Sequence, residues 1–201
     1  MNNGFMTPSF EGLRALILHR QHANTEALER QFARIGVSAV TVWPELAAEQ
    51  SFQDFDVLMF DADMGYDEQF PWSAGEAPIP TIALIGSEAP GRITWAVSHG
   101  ADAQLLKPIG SSGVYSALVI ATHAFKRRKS LSSEVATLSE RLANRENLAE
   151  ATAILMVRER LPADAAYALL RRRAMDERRT IDEVAQIILE KTGLNEGKRR
   201  G

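Results

Sequence analysis

Five short apolar runs punctuate the first 108 residues: LRALILH (13–19), VSAVTVW (37–43), DVLMFD (56–61), TIALIG (81–86) and AQLLKP (103–108). Runs of this length read as strands, and strands that are apolar on nearly every residue are buried on both faces. Helix-compatible segments lie between them. TEALERQFARIG (25–36) sets Leu28, Phe32 and Ile35 at helical spacing and closes on Gly36, and PGRITWAVSHG (90–100) also ends on glycine. Strands alternating with helices predict an α/β doubly wound domain, a parallel sheet covered on both sides.

In such sheets the working residues gather at the carboxyl ends of the strands. Those ends carry His19 with Arg20, Asp61, Gly86 with Ser87, and Lys107. His22, His99 and His123 share no metal-ligand spacing with one another or with nearby acids. No GxxxxGK[ST] loop or nucleophile–base pairing is present, so no catalytic residue, metal or cofactor is assigned. The chain has no cysteine, which excludes disulfides, thiolate catalysis and Cys-ligated zinc. No apolar run reaches the roughly 18 residues that cross a bilayer. MNNGFMTPSF lacks the basic-then-apolar pattern of a secretion signal, and the expectation is a cytoplasmic protein away from membranes.

The charge changes sign along the chain. Residues 1–125 hold 6 Lys+Arg against 14 Asp+Glu, net -8, and residues 126–201 hold 17 against 12, net +5. An acidic body before a basic region suits a chain in which one part receives a signal and the other meets a polyanion. Residues 113–161 contain no internal proline or glycine and read as one long helix. Within it Leu131, Val135, Leu138 and Leu142 recur at steps of four and three, the spacing of a coiled-coil dimerisation seam, and Arg145 falls next on that seam. A homodimer follows if nothing else covers those side chains. The cluster Lys126, Arg127, Arg128 and Lys129 before it reads as a solvated hinge.

Two shorter helices follow. Ala166, Tyr167, Leu170 and Ala174 share one face of the first, and Thr180 with Glu183 forms a capping box at the start of the second. A small three-helix bundle with a core of Ile154, Leu155, Tyr167, Leu170, Val184 and Ile188 is the expected outcome. It leaves Arg158, Arg160, Arg171, Arg172, Arg173, Arg178 and Arg179 outside. Such arginines either coat a solvated face or meet a polyanion.

Two resemblances bear on that choice. DVLMFDADMG, followed about forty residues later by GADAQLLKPI, resembles the flavodoxin-like receiver domain of bacterial response regulators. The match implies that Asp61 stands at the phosphoacceptor position and Lys107 at the position of the lysine that contacts the phosphoryl group. A working receiver also holds magnesium with an acidic pair after its first strand, because a hard dication needs carboxylate oxygens. Here that place holds His19 and Arg20, and the hydroxyl residue expected after the fourth strand is replaced by Ile85 and Gly86, with Ser87 next. The expectation is a pseudo-receiver with poor or absent magnesium-dependent phosphorylation, in which Asp61 is a buried carboxylate paired with Lys107 or Arg20.

EATAILMVRERLPADAAYALLRRRAMDERRTIDEVAQIIL (150–189) resembles the ANTAR domain, an RNA-binding module of bacterial antiterminators, in three segments that match in order. The whole chain is similar to the AmiR and NasT group of regulators. The resemblance divides it into a receiver-like domain (1–125), a coiled-coil connector (126–145) and an ANTAR helical domain (146–201). It implies binding to leader mRNA stem-loops so that a terminator does not form, with Arg145, Arg158, Arg160, Arg171, Arg172, Arg173, Arg178 and Arg179 as the RNA-contacting set. Family members commonly have Lys-Gly where this chain has Thr152 and Ala153. The implied partners are a second copy of the chain and a ligand-sensing protein of the AmiC kind, placed ahead of a histidine kinase. A DNA-binding response regulator and a protein-interaction module are the alternatives.

Overall fold

The computed structural model describes residues 8–47 and 51–193; the first seven residues of the N-terminal stretch read above, and residues 194–201, lie outside them. The chain separates into two compact units, Met1–Ser130 and Leu131–Gly201.

The first unit is built on β1 (Arg14–Leu18), β2 (Ser38–Val42), β3 (Val57–Asp61), β4 (Thr81–Ile85) and β5 (Ala103–Leu106). All pair in parallel in the order β2-β1-β3-β4-β5, the doubly wound arrangement that the apolar runs predict. Alternate side chains serve opposite faces. Ile17, Met59, Leu84 and Leu105 pack with Leu28 and Phe32 of α1 (Ala23–Arg34) and with Leu118 of α3 (Val114–Glu159). Leu16, Leu18, Phe60 and Ala83 face Ala96 and Trp95 of α2 (Pro90–Ser98).

The crossovers differ from the expected alternation. Among the described residues the β2–β3 and β3–β4 connections hold only short 3-10 turns, Phe52–Asp54 and Asp67–Gln69, and no α-helix. Gly65, Pro71, Gly75, Pro78 and Pro80 interrupt the β3–β4 stretch too often for a helix to propagate. Aromatic side chains cover that face of the sheet instead: the Phe60 and Phe70 rings lie 5.3 Å apart edge-on, and Trp72 stacks on Phe70 at 5.6 Å. A Cβ at Gly65 would overlap the Trp95 ring, so a glycine there admits the indole.

The basic cluster at 126–129 is more than a solvated hinge. Arg128 donates to the Gly75 carbonyl at 2.6 Å and to the Asp102 carboxylate at 3.0 and 3.1 Å, fixing this turn of α3 to the β3–β4 connection and to the residue before β5. Burial raises the Asp102 carboxyl above its usual range, and the Thr81 N–H and the Arg128 guanidinium offset only part of that shift.

In the second unit, α3 continues to Glu159 and is followed by α4 (Ala163–Glu177) and α5 (Ile181–Lys191). Leu155, Leu170, Val184 and Ile188 form its core together with Ala151, Ala166, Ala174 and Ala185. Tyr167 is not in that core; it is 41% exposed. Alanines at the helix contacts bring the backbones close and leave no room for a ring. Thr180 and Glu183 form the capping box, and the hydrogen bonds from Thr180 hold the Glu183 carboxyl below its usual range. Among the described residues no helix is long and apolar enough to cross a membrane.

Candidate functional site: a self-paired aspartate and an arginine-bearing bundle

The carboxyl ends of β1, β3, β4 and β5 bring His19, Asp61, Gly86 and Lys107 together. Strand parity does much of this work. Residues 15, 17 and 19, residues 57, 59 and 61, and residues 103, 105 and 107 each point to the sheet face that α1 covers. Arg20 has the opposite parity, and its side chain is exposed; only its carbonyl enters the site. The expected alternative partner of Asp61 is therefore replaced by His19.

Asp61 is 2% exposed, and its two oxygens have unlike surroundings. Oδ1 accepts from Lys107 Nζ at 2.7 Å and from the Asp63 N–H at 2.9 Å. Oδ2 lies 3.2 Å from His19 Nε2, within ion-pair range but without hydrogen-bond alignment. His19 Nδ1 is 2.6 Å from the Arg20 carbonyl, which makes that nitrogen the protonated one, and Thr25 donates to the same carbonyl at 3.0 Å. The imidazole is thus oriented by α1 and the end of β1, and it fills the space beside Asp61 with a ring.

Asp63 was not singled out from the sequence. Its carboxylate accepts from the Gly86 N–H at 2.8 Å and the Ser87 N–H at 2.9 Å, and Lys107 Nζ lies 2.6 Å from it. Burial alone would raise this carboxyl, but Lys107 and the two backbone donors outweigh it and hold it below its usual range. The available signal was the Asp-x-Asp spacing: a carboxylate that accepts from the N–H two residues on makes a tight turn, which sends the second side chain back across the strand ends. The Ser87 hydroxyl accepts from the Ala89 N–H at 3.4 Å within its own turn and does not reach Asp61. The cation that joins Asp61 and Asp63 is the Lys107 ammonium, and among the described residues no cluster of His, Asp and Glu forms a metal site.

The other histidines have local roles. His22 caps α1 by accepting from the Asn24 N–H, His99 packs on Trp95 and lies 3.4 Å from Asp67, and His123 is exposed.

In the second unit the arginines divide by partner. Arg173 pairs with Glu159 at 3.3 Å and Arg179 with Glu177 at 3.9 Å. Arg158, Arg173 and Lys191 line one groove together with Glu159 and Glu177. Arg171 and Arg172 are exposed on α4 and form no ion pair with any described residue. Arg160 and Arg178 follow the ends of α3 and α4 in left-handed backbone, both with φ 54°. Arg145 lies apart: 13 residues before Arg158 on the same helix is about 20 Å along the axis. Thr152 turns its hydroxyl onto the Leu148 carbonyl at 2.7 Å. Leu131, Val135, Leu138 and Leu142 are 53%, 61%, 55% and 60% exposed, an apolar stripe with no cover among the described residues.

Residues 13–122 match the family described as AmiR, N-terminal, and residues 136–189 match the ANTAR domain. The chain is 33% identical over 114 residues to the transcriptional regulatory protein PdtaR of Mycobacterium tuberculosis, covering 57% of this chain and 56% of that protein, so it spans little more than half of that relative's length. It is 26% identical over 190 residues to the aliphatic amidase regulator of Pseudomonas aeruginosa, covering 94% of this chain and 97% of that one. Among solved structures, the signal receiver domain of an HD domain-containing protein from Pseudomonas fluorescens Pf-5 is 18% identical, with 58% of this chain and 92% of that chain covered and a TM-score of 0.42.

Proposed function

The chain belongs to the AmiR family by its N-terminal domain and carries an ANTAR domain behind it, and on that premise we propose that it is an RNA-binding transcription antitermination regulator. It binds stem-loops of leader mRNA and keeps a terminator from forming. The observation that carries this reading is the ANTAR bundle with Arg171 and Arg172 exposed and free of internal counter-charge among the described residues. A flat guanidinium donates to phosphate oxygens in pairs and stacks on splayed-out bases, the features that hairpin loops offer. Antitermination then needs only differential affinity: a protein that holds the antiterminator hairpins more tightly than the competing fold shifts the RNA between them.

The exposed leucine stripe supports a second copy of the chain as its cover, making a parallel coiled-coil dimer between a receiver-like domain (1–125) and the ANTAR helices (146–201). Input by phosphoryl transfer is disfavoured, because Asp61 is buried with the His19 ring against its Oδ2, and that imidazole stands where a dication would need carboxylates. A ligand-sensing partner protein that sequesters the regulator is the gating we favour over a histidine kinase.

The test is a salt titration of full-length protein binding to a leader hairpin and to duplex DNA of the same sequence. Hairpin RNA should bind more tightly, and Arg171→Ala with Arg172→Ala should weaken binding and lower the slope of log K against log salt by about 2. Arg173→Ala alone should change it by less, since Glu159 already neutralises that guanidinium. Equal affinity for both nucleic acids, or an unchanged slope in the double variant, overturns the proposal.

A further inference from the structure

The Asp63 carboxylate sits on three N–H donors: two consecutive backbone amides, Gly86 and Ser87, and the Lys107 ammonium. Successive backbone N–H groups that converge with a cation form a concavity suited to an anion. Here the chain supplies the anion itself, from a side chain only 22% exposed. The fit is tight. A Cβ built on Gly86 would stand 2.8 Å from Asp63 Oδ2 and 3.2 Å from Lys107 Cε, so position 86 can carry a side chain only if the carboxylate withdraws.

We propose that Asp63 is the resident anion of an oxyanion cradle formed by the Gly86 N–H, the Ser87 N–H and Lys107, and that removing its carboxylate turns the cradle into a binding site for a free tetrahedral oxyanion. The turn after β4 is therefore held permanently in an anion-bound arrangement, with no group transferred to Asp61. The carboxylate reaches the cradle through the Asp61–Asp63 turn, in which Asp61 Oδ1 accepts the Asp63 N–H and also the Lys107 ammonium. One lysine thus fixes both the turn that aims Asp63 and the charge that receives it. The ligand class follows from the donors: two amides and one ammonium suit a compact anion with several acceptor oxygens, such as inorganic phosphate. This proposal is independent of the RNA-binding reading.

The experiment uses full-length wild type, Asp63→Ala, and Asp63→Ala combined with Lys107→Met, each titrated with inorganic phosphate at constant ionic strength while the Gly86 and Ser87 amide resonances are followed. The Asp63→Ala protein should show saturable shifts at both amides with an affinity at least about tenfold above wild type, and adding Lys107→Met should abolish them. Should the alanine variant not fold, Asp63→Ser takes its place, because its side chain is too short to fill the cradle and carries no charge, and the same gain is expected. Equal titration of wild type and variant, or no response from a folded variant, overturns the proposal. A second arm measures stability: Gly86→Ala should be destabilising in wild type and markedly less so in the Asp63→Ala or Asp63→Ser background, and an equal cost in both refutes the pairing.

Discussion

Replacing Lys107 with methionine keeps the length of the stem and removes the charge that two carboxylates share. The Lys107 side chain is 11% exposed, Asp61 3% and Asp63 22%, so the loss strands one almost wholly buried carboxylate and one partly buried one. Breaking a buried pair by deleting one partner costs about 3–5 kcal/mol. Asp61 keeps the Asp63 N–H and the nearby His19, and Asp63 keeps two backbone donors, which places the expected loss near the lower end, about 3 kcal/mol. All three tryptophans of the chain, Trp43, Trp72 and Trp95, lie in the first unit, so their fluorescence during urea unfolding reports that unit. With an m-value of about 2 kcal/mol/M the midpoint should fall by about 1.5 M at unchanged m. The pH dependence supplies a second check. In wild type the lowered Asp63 carboxyl contributes stability that is present above its unfolded pKa and is lost as pH falls through the folded one. In the variant Asp63 keeps its two backbone donors but loses the ammonium that lowers it, so its carboxyl rises and the deficit against wild type should shrink as acidification protonates it. A midpoint shift below about 0.3 M, or a deficit that does not change with pH, would refute the account of Lys107 as the shared counter-charge.

Three further outcomes follow from the same geometry. Incubation with acetyl phosphate and magnesium should leave the intact mass unchanged, whereas a stoichiometric, acid-labile aspartyl phosphate at Asp61 would contradict the reading that His19 blocks the cation site beside it. Leu138→Asp with Leu142→Asp places charge on the exposed stripe, and sedimentation velocity should then report monomer; unchanged dimerisation would remove the stripe from the interface. Arg128→Gln should cost about 2 kcal/mol at neutral pH, because charged hydrogen bonds to Asp102 are lost. Asp102 already has a raised carboxyl, whose contribution is present below its unfolded pKa and lost as pH rises through the folded one; without Arg128 that loss should deepen, so thermal melts of variant and wild type should converge on acidification.

The strands were legible because all five lie inside apolar runs, but only β1, β3 and β4 are buried on both faces; the edge strands β2 and β5 are mostly half-buried or exposed, which their composition did not reveal. The β3–β4 crossover was not, because its cover comes from Phe60, Phe70, Trp72 and Trp95 stacking at long sequence separation, which no helical period encodes. His19 over Arg20 could have been read from strand parity, since only odd residues of β1 share the face of Asp61. Asp63 required the turn geometry as well. Tyr167 misled in the other direction: its spacing fits the buried face of α4, but the alanine contacts of the bundle decide how much volume that face can hold.

Where charge is internally matched and where it is not bears on the proposed function. In the first unit Asp61 and Asp63 share Lys107, and Asp102 holds Arg128; each of these charges is committed to the fold. In the second unit Arg173 and Arg179 face carboxylates, whereas Arg171 and Arg172 have no counter-charge among the described residues. A committed charge contributes little to the field outside the protein, and an unmatched one contributes fully within a Debye length. Under the proposed RNA-binding function, Arg171 and Arg172 of α4 are therefore expected to contribute more than Arg173, which must first give up Glu159.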